Sequence, residues 1–150
     1  MPPSPDVRPG IEQCNCFLMR KAARQITRLY DSYLEPAGLR ITQFLLIAAL
    51  NDLQVASVNQ LAELLDIERT AMGKMVGFLE KDGLVTVNVS PTDGRIRNVT
   101  LTKQGVILHG RAVPLWRKAQ EQFESLNGAA RTKALRRSVE KMVAGDADGE

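Results

Sequence analysis

The chain has 150 residues, 44% of them hydrophobic and 25% charged, and a formal net charge of +3. Length and composition are those of one globular domain, or of a small domain whose arms need a partner. The longest apolar run, residues 44–50, is too short to span a bilayer, and the first residues lack the basic-then-apolar pattern of an export signal. We therefore expect a cytoplasmic protein with no membrane partner.

The two ends of the chain differ in composition from the rest. Residues 1–10 are rich in proline and predict a disordered arm, whereas residues 146–150 form an acidic tail. Nine lysines or arginines stand against three glutamates between Lys103 and Lys141. Such a basic balance suits a nucleic-acid partner, although solvated helix faces explain it about as well.

The first two predicted helices cover residues 11–34 and about 42–50. In the first, apolar residues recur at three- and four-residue steps, and Pro36 with Gly38 stops the pattern. Thr42 is expected to cap the second helix, which is apolar nearly all round and should therefore lie in the core. Among the apolar residues that it carries are Phe44, Leu45, Ile47, Ala48 and Leu50.

A helix-turn-helix pattern follows. Ser57 and Gln60 have the spacing of a capping box that opens a short helix, and Asp66 with Ile67 predicts the turn. The next helix runs from about residue 68 to residue 81, and its apolar stripe should face the core. That stripe consists of Met72, Met75, Val76 and Leu79. In helix pairs of this kind the second helix enters the DNA major groove.

The opposite face of that helix is unusual in composition. It carries two cations, a hydroxyl and two glycines, namely Arg69, Thr70, Gly73, Lys74 and Gly77. Glycine inside a helix costs about 1 kcal/mol relative to alanine, so two on one exposed face indicate close approach to a phosphate backbone or base edge, or else simple sequence drift. Because arginine and lysine pair with guanine and threonine with phosphate, we predict contact with DNA.

A hairpin with a charged tip comes next. Residues 85–89 alternate valine with polar residues, and Asp93-Gly94 is a strong turn signal. Arg95 lies just past the turn, and Arg97 follows two residues later on the same face. Since a narrow minor groove concentrates negative potential, we predict that this arm, the wing, carries arginine into it. Taken alone, the hairpin would be explained better by a solvated Asp93–Arg95 pair.

Two further predicted helices close the chain, one from the capping Thr102 to Leu126 and one over about residues 129–143. Like the first helix, they have apolar stripes with few partners in a chain this short. The same helices of a second copy would cover these stripes. The pattern therefore predicts a two-fold homodimer whose paired helices read an inverted repeat, about one DNA turn apart.

The predicted fold class is thus α+β and mostly helical, with six helices and a small hairpin. A winged helix-turn-helix lobe over residues 40–101 would bind double-stranded DNA. The N- and C-terminal helices, over residues 11–36 and 102–143, would form the dimerisation lobe of a single domain spanning residues 11–145.

Five motifs in this order resemble the MarR family of winged-helix transcription regulators, over about residues 14–143. Each is weak alone, whereas all five in order are specific. They are Leu39-Arg40-Ile41-Thr42-Gln43-Phe44, Asn59-Gln60-Leu61-Ala62, Leu79-Glu80-Lys81-Asp82-Gly83-Leu84-Val85, Asp93-Gly94-Arg95 and Leu101-Thr102-Lys103-Gln104-Gly105. The resemblance implies a dimer joined through its first and last helices, and a repressor that releases DNA when a small molecule or an oxidant acts.

Carried over by position, the resemblance implies roles for single residues. Arg69, Thr70 and Lys74 would sit in the major groove. Arg95 would enter the minor groove, where Asp93 would hold it in place. Backbone phosphates would lie near Thr42, Gln43 and Gln60.

Cys14 and Cys16 lie near the start of the first helix. Residues two apart on a helix point about 200° away from each other, so a disulfide between them needs the helix to unwind. A cysteine of one copy could instead meet a partner on the other, and nearby Arg20 and Lys21 favour a reactive thiolate. Thiol-based redox sensing is therefore an alternative to effector control, beside the usual role of free cysteines as small buried hydrophobes. With His109 distant, zinc would lack ligands, and we predict no metal and no cofactor.

In similar proteins, small aromatic acids or other lipophilic compounds bind between the dimer joint and the DNA lobe, and the resemblance implies such an effector here. An aromatic wall with a cation would suit an aromatic carboxylate. The candidate residues are Phe17, Arg20, Arg24, Tyr30, His109 and Trp116. Each of them taken singly is explained better by core packing or by a surface position.

Two other functions are weaker. An enzyme with a cysteine nucleophile and His109 as base would lack an orienting acid, and no glycine-rich phosphate loop appears. A winged helix that binds protein would usually carry apolar anchors on its outer face, not cations and glycines. We therefore expect a DNA-binding regulator and no enzyme.

Overall fold

The computed structural model describes residues 10–145. The predicted disordered arm lies outside them except for Gly10, and the predicted acidic tail lies outside them altogether. The fold is mostly helical (74%) with a small antiparallel sheet, which confirms the predicted fold class. Among these residues, no helix combines the length and the apolar character needed to cross a membrane.

Within residues 10–145, six α-helices and three strands follow one another in nearly the predicted order. They are α1 (Asn15–Leu34), α2 (Ile41–Leu53), β1 (Ala56–Ser57), α3 (Val58–Leu64), α4 (Arg69–Lys81), β2 (Val85–Val89), β3 (Arg97–Leu101), α5 (Lys103–Asn127) and α6 (Ala129–Gly145). Two short 3-10 turns, Ile11–Gln13 and Glu35–Ala37, precede and follow α1. The strand β1 was not predicted.

The chain divides into two compact units. Residues 33–118 form one unit, and the residues on either side of them, described over 10–32 and 119–145, form the other. The boundary falls within α1 and again within α5.

The unit of residues 33–118 has a closed apolar core. Its fully buried large side chains are Leu34, Leu46, Ile47, Leu50, Leu61, Met72, Leu79, Val85 and Val99. Three of these belong to α2, so the prediction that this helix lies in the core is correct. Leu45 was expected to be buried, but it is 42% exposed, and Leu46 is enclosed in its place. A helix that is apolar all round does not show which side faces inward, so packing alone decides this.

The start of α2 differs from the prediction that Thr42 caps it. The N-cap is Arg40, in extended backbone, and Thr42 lies inside the first turn. The backbone N–H of Arg40 donates to Oε1 of Gln43 at 2.9 Å. A glutamine in the first turn therefore provides the side-chain bond at this helix start, where a threonine hydroxyl was expected.

The sheet has the strand order β1-β3-β2, so β2 is an edge strand. β2 and β3 are antiparallel with Val87 opposite Val99, and β1 pairs with the other side of β3, with Ala56 also opposite Val99. Two residues are too few to show an alternating pattern. β1 is therefore a strand because it pairs with β3, which lies far along the chain.

The cap of α5 joins this helix to the end of α4. Thr102 caps α5 as predicted, since its Oγ1 accepts the backbone N–H of Gly105 at 3.1 Å and donates to the carbonyl of Gly83 at 2.6 Å. Gly105 is buried, and a Cβ at this position would clash with the carbonyl oxygen of Leu84. Close backbone approach therefore requires glycine at residue 105.

The unit formed by both ends of the chain leaves apolar side chains exposed. On α1 and α6 these are Phe17, Leu18, Met19, Ile26, Leu135, Val139, Met142 and Val143.

Inside this unit the hydroxyl of Tyr30 donates to Oε1 of Gln120. Burial raises the pKa of Tyr30 above its ordinary value, against an opposing effect of Arg136. Gly128, at φ 84°, separates α5 from α6 at the predicted break.

Candidate nucleic-acid interface

A tight turn joins α3 to α4. The predicted capping box is confirmed, because the N–H of Ser57 donates to Oε1 of Gln60 at 2.8 Å and the N–H of Gln60 donates to Oγ of Ser57 at 3.1 Å. At the other end of α3, Asp66 adopts φ 51° and the N–H of Ile67 donates to the carbonyl of Ala62 at 2.9 Å. These local bonds end α3 and place the start of α4 at the predicted turn.

The two faces of α4 separate as the apolar stripe predicts. Met72, Val76 and Leu79 are buried in the core, and Met75 is half-buried. The residues of the opposite face are all exposed, and they are Arg69, Thr70, Gly73, Lys74 and Gly77. The helix therefore presents a cationic, glycine-containing surface away from the core.

Gly73 and Gly77 are not required by packing. A Cβ at either position would meet no atom within 4 Å, and neither residue has a positive φ. Glycine in a helix interior costs about 1 kcal/mol relative to alanine, so the free protein gains nothing from these residues. Their effect is to leave a smooth strip of helix backbone open to solvent.

The wing has a longer loop than a two-residue hairpin. β2 ends at Val89 and β3 begins at Arg97, and the N–H of Ser90 donates to the carbonyl of Ile96 at 2.8 Å across the base of the loop. The tight turn predicted at Asp93-Gly94 is present, since the N–H of Ile96 donates to the carbonyl of Asp93 at 3.1 Å. Because residue 95 lies on this loop, Arg95 and Arg97 do not share a strand face as expected.

Asp93 pairs with the arginine at the wing tip. Its Oδ1 accepts the backbone N–H of Arg95 at 3.0 Å and the side-chain Nε–H of Arg95 at 3.3 Å. The side chain of Arg95 is 92% exposed, and an ion pair this exposed contributes little to stability. The pair orients the guanidinium, whose two terminal nitrogens have no partner among the described residues.

A groove of about 440 Å³ lies between α4 and the wing. Three arginines line it, Arg69 from α4 and Arg95 and Arg97 from the wing, together with both glycines of the outer face. The other lining residues are Ser57, Val58, Asn59, Val76, Glu80, Val87 and Ile96. The groove thus brings together the predicted helix face and the predicted wing arginines.

Glu80, near the C-terminal end of α4, also lines this groove, although the sequence did not single it out as part of the outer face. It follows Gly73 by seven residues and Gly77 by three, which places it on the same side of an α-helix. That spacing was the signal that sequence reasoning missed. Asn59, Val87 and Ile96 were missed as well, since only the fold brings them beside α4.

Two of the three side chains expected near DNA phosphates already make bonds within the protein. The amide oxygens of Gln43 and Gln60 accept capping N–H groups at 2.9 and 2.8 Å. Thr42 is exposed. Any contact of Gln43 or Gln60 with phosphate would therefore use the amide nitrogen.

The predicted effector residues are divided between the two compact units. Phe17, Arg20 and Arg24 line one groove of about 270 Å³ on α1, with Lys21, Gln25 and Arg28. Tyr30 is engaged with Gln120 in the same unit. His109 and Trp116 belong to the other unit, where their rings stack on Phe44 at centroid distances of 6.1 and 5.9 Å.

Cys14 and Cys16 are both free and exposed. The first helix begins later than predicted: Cys14 has extended backbone (φ −75°, ψ 118°), and α1 starts at Asn15. The geometric objection to their pairing assumed that both cysteines lie on a helix, and it does not hold in that form. Within residues 10–145 no group of three His, Cys, Asp or Glu residues could hold a metal ion.

A tight helix pair followed by a hairpin arm, with a cationic groove between the second helix and the arm, defines a winged helix-turn-helix. This is the architecture of a large class of DNA-binding transcription regulators.

Comparison with known proteins gives the same answer. The sequence profile of the MarR family matches residues 37–96. The transcriptional regulator MosR of M. tuberculosis, in its crystal structure with DNA, is 32% identical, with 90% of this chain and 98% of that one covered and a TM-score of 0.80. The organic hydroperoxide resistance transcriptional regulator of Bacillus subtilis is 27% identical over 105 residues, which are 70% of this chain and 71% of that protein. The transcriptional activatory protein BadR of Rhodopseudomonas palustris is 33% identical over 92 residues, which are 59% of this chain and 53% of BadR.

The chain belongs to the MarR family. It is a DNA-binding transcription regulator of the MarR type and not an enzyme.

Proposed function

We propose that this protein is a homodimer that binds an inverted repeat in double-stranded DNA, with α4 in the major groove and the wing in the adjacent minor groove of each half-site. The observation that carries the proposal is the groove between them. Its wall on α4 has two glycines that packing does not require, and three arginines surround it. A helix surface without side chains lets a duplex approach the backbone closely, while arginines supply phosphate and base contacts.

Selection from a random duplex pool tests the proposed binding mode. The parent protein should enrich an inverted repeat whose half-sites lie about 10 base pairs apart, because a two-fold dimer presents two identical helices one turn apart. A footprint on the enriched duplex should cover both half-sites. Enrichment of a lone half-site, or no enrichment at low salt, contradicts the proposal.

The substitution Gly77→Ala separates DNA contact from stability. In the free protein the added methyl meets no atom within 4 Å, so it should raise the free energy of unfolding by up to about 1 kcal/mol. On DNA the methyl occupies space that the duplex needs, so affinity for the enriched duplex should fall about tenfold. Urea unfolding and fluorescence anisotropy measure the two effects.

Gly110→Ala is the matched control. Gly110 also lies inside a helix, is exposed, and has open space around its Cβ position, but it is in α5 and outside the groove. It should give the same stabilisation without loss of DNA binding. Equal DNA affinity of both variants would show that the glycine face of α4 does not meet the duplex.

The proposed dimer rests on the unit formed by both ends of the chain. Leu135, Val139 and Met142 on α6 are between 42% and 59% exposed, and α1 adds Leu18 and Met19. A second copy of the same helices is the proposed cover for these side chains. Sedimentation equilibrium should give twice the mass of the chain, and a stable monomer contradicts the proposal.

For regulation, we propose repression that a small aromatic carboxylate relieves. Support comes from the groove on α1, which is lined by Phe17 and by the cations Arg20 and Arg24. A panel of hydroxybenzoates should release the labelled duplex from the parent protein. The double variant Arg20→Ala/Arg24→Ala should bind DNA as the parent does but lose this response, whereas an unchanged response contradicts the assignment.

Redox control is the second candidate. Cys14 and Cys16 are both exposed, and one relative is named an organic hydroperoxide resistance regulator. A hydroperoxide would oxidise one thiolate to sulfenic acid and leave as the alcohol, and the sulfenic acid would condense with a second thiol to a disulfide and water. Cumene hydroperoxide should then release DNA from the parent but not from a Cys14→Ser/Cys16→Ser variant, and dithiothreitol should restore binding.

A further inference from the structure

Glu80 places a negative charge in a groove otherwise rich in cations. It is exposed near the end of α4, and Arg69, Arg95 and Arg97 line the same groove. Among residues 10–145, no cation lies within ion-pairing distance of its carboxylate. A free carboxylate repels DNA phosphate, so its presence on a DNA-binding surface requires a physical explanation.

A hydrogen bond made by Glu80 explains why a carboxylate is present on this surface. Its Oε2 accepts the backbone N–H of Val87 at 3.2 Å. Val87 is the middle residue of β2, an edge strand whose outward N–H groups have no strand partner. The bond therefore ties the end of α4 to the strand that leads into the wing.

We propose that Glu80 is a positioning and specificity-determining residue of the DNA-binding surface. Its hydrogen bond keeps the wing arginines in register with α4, which specific binding needs because helix and wing must contact the duplex together. Its charge weakens non-specific binding, which depends almost entirely on phosphate electrostatics. Both effects raise the ratio of specific to non-specific affinity. The inference rests on the proposed interface between α4 and the wing.

Two substitutions separate the hydrogen bond from the charge. Glu80→Gln keeps a side-chain acceptor and removes the charge, whereas Glu80→Ala removes both. The probes are the duplex that the parent protein enriches from a random pool and a scrambled duplex of the same composition. Affinities come from fluorescence anisotropy at one fixed salt concentration.

The comparison of parent with Glu80→Gln reports the charge, and the scrambled duplex should bind the variant roughly threefold more tightly. The comparison of Gln with Ala reports the hydrogen bond, and the enriched duplex should bind the Ala variant about fivefold more weakly than the Gln variant. The scrambled duplex should not distinguish Gln from Ala. Rescue by glutamine on the enriched duplex alone is a pattern that simple destabilisation does not produce.

Asp82→Asn is the matched control. Asp82 is an exposed carboxylate two residues away, at the C-cap of α4, and it does not line the groove. Its removal should leave the ratio of specific to non-specific affinity unchanged. Equal affinity of the Gln and Ala variants for the enriched duplex overturns the positioning role. Equal affinity of the parent and the Gln variant for the scrambled duplex overturns the charge role.

Arg95→Ala, measured in parallel, distinguishes failure of this inference from failure of the proposed interface. If Arg95→Ala weakens binding while both Glu80 variants behave like the parent, the interface stands and the role of Glu80 is wrong. If Arg95→Ala also binds like the parent, the proposed wing contact itself is wrong.

Discussion

The two compact units bury apolar side chains to different extents. In the unit of residues 33–118, Leu46 and Ile47 are completely buried in a cluster of apolar side chains. In the unit formed by both ends of the chain, Leu18 is 52% exposed and Met142 is 59% exposed. The first unit therefore has a core of its own, whereas the second has apolar helix faces that require a cover.

This contrast separates two requirements of a DNA-binding regulator. The groove between α4 and the wing is formed within the unit that has the closed core, so its geometry depends on that core. The proposed pairing of two copies depends on the other unit. Substitutions in one unit should therefore change stability or DNA contact, and substitutions in the other should change assembly.

The largest effect is expected from the closed core. Leu46→Ala should lower the free energy of unfolding by about 2–5 kcal/mol, because it removes a fully buried side chain and leaves a cavity. Urea unfolding followed through Trp116, the single tryptophan, reports on this unit. The neighbouring Leu45→Ala is the control, since Leu45 is 42% exposed and should cost far less. Equal losses for the two variants would contradict the observed orientation of α2.

The next effect tests assembly. Leu135→Asp on α6 should weaken the proposed dimer more than about tenfold, because the charge would be buried at the joint. Leu135 is 44% exposed in the single chain, so the fold of residues 33–118 should not change. Sedimentation equilibrium measures the mass, and Trp116 fluorescence monitors the fold. If the variant remains a dimer with the parent's dissociation constant, the dimer interface does not include Leu135.

Arg95→Ala should weaken binding of the enriched duplex by about 1–3 kcal/mol with little change in Tm. The physical reason is that its side chain is 92% exposed and contributes almost nothing to the folded state. Arg117→Ala removes the same charge from the exposed surface of α5, outside the groove, and should bind nearly as the parent does. Equal losses for the two variants would point to net charge and not to a wing contact.

The smallest expected effect is a change in the salt dependence of DNA binding. If Lys74 meets a phosphate, Lys74→Ala should reduce the slope of log K against log salt by about one unit. Lys74 is exposed on the outer face of α4, so stability should be unaffected. Titrations at four or more salt concentrations give the slope. An unchanged slope argues for a base contact or for none.

Features that depend on near neighbours in the chain could be predicted from the sequence. The capping box of Ser57 and Gln60, the turn at Asp66 and the cap at Thr102 all use bonds between residues a few positions apart. The stripe of Met72, Val76 and Leu79 was also correct, because helical spacing alone determines it.

Features that depend on residues far apart in the chain could not be predicted from the sequence. The strand β1 exists because it pairs with β3, and Leu46 is enclosed instead of Leu45 because of what packs around α2. Glu80 has the spacing of the outer face of α4, but only the position of β2 shows that it bonds Val87 and shares a groove with the wing.

By itself the sequence determined the order of helices and hairpin, the inward side of α4, and the family resemblance, because periodicity, caps and turn residues act over short distances. Only the tertiary structure shows that three arginines and the carboxylate of Glu80 line the same groove. It also decided that close packing requires glycine at residue 105 but not at residues 73 and 77. The physical reason is that a groove is formed by the packing of segments far apart in the chain, and no local pattern specifies how closely they approach.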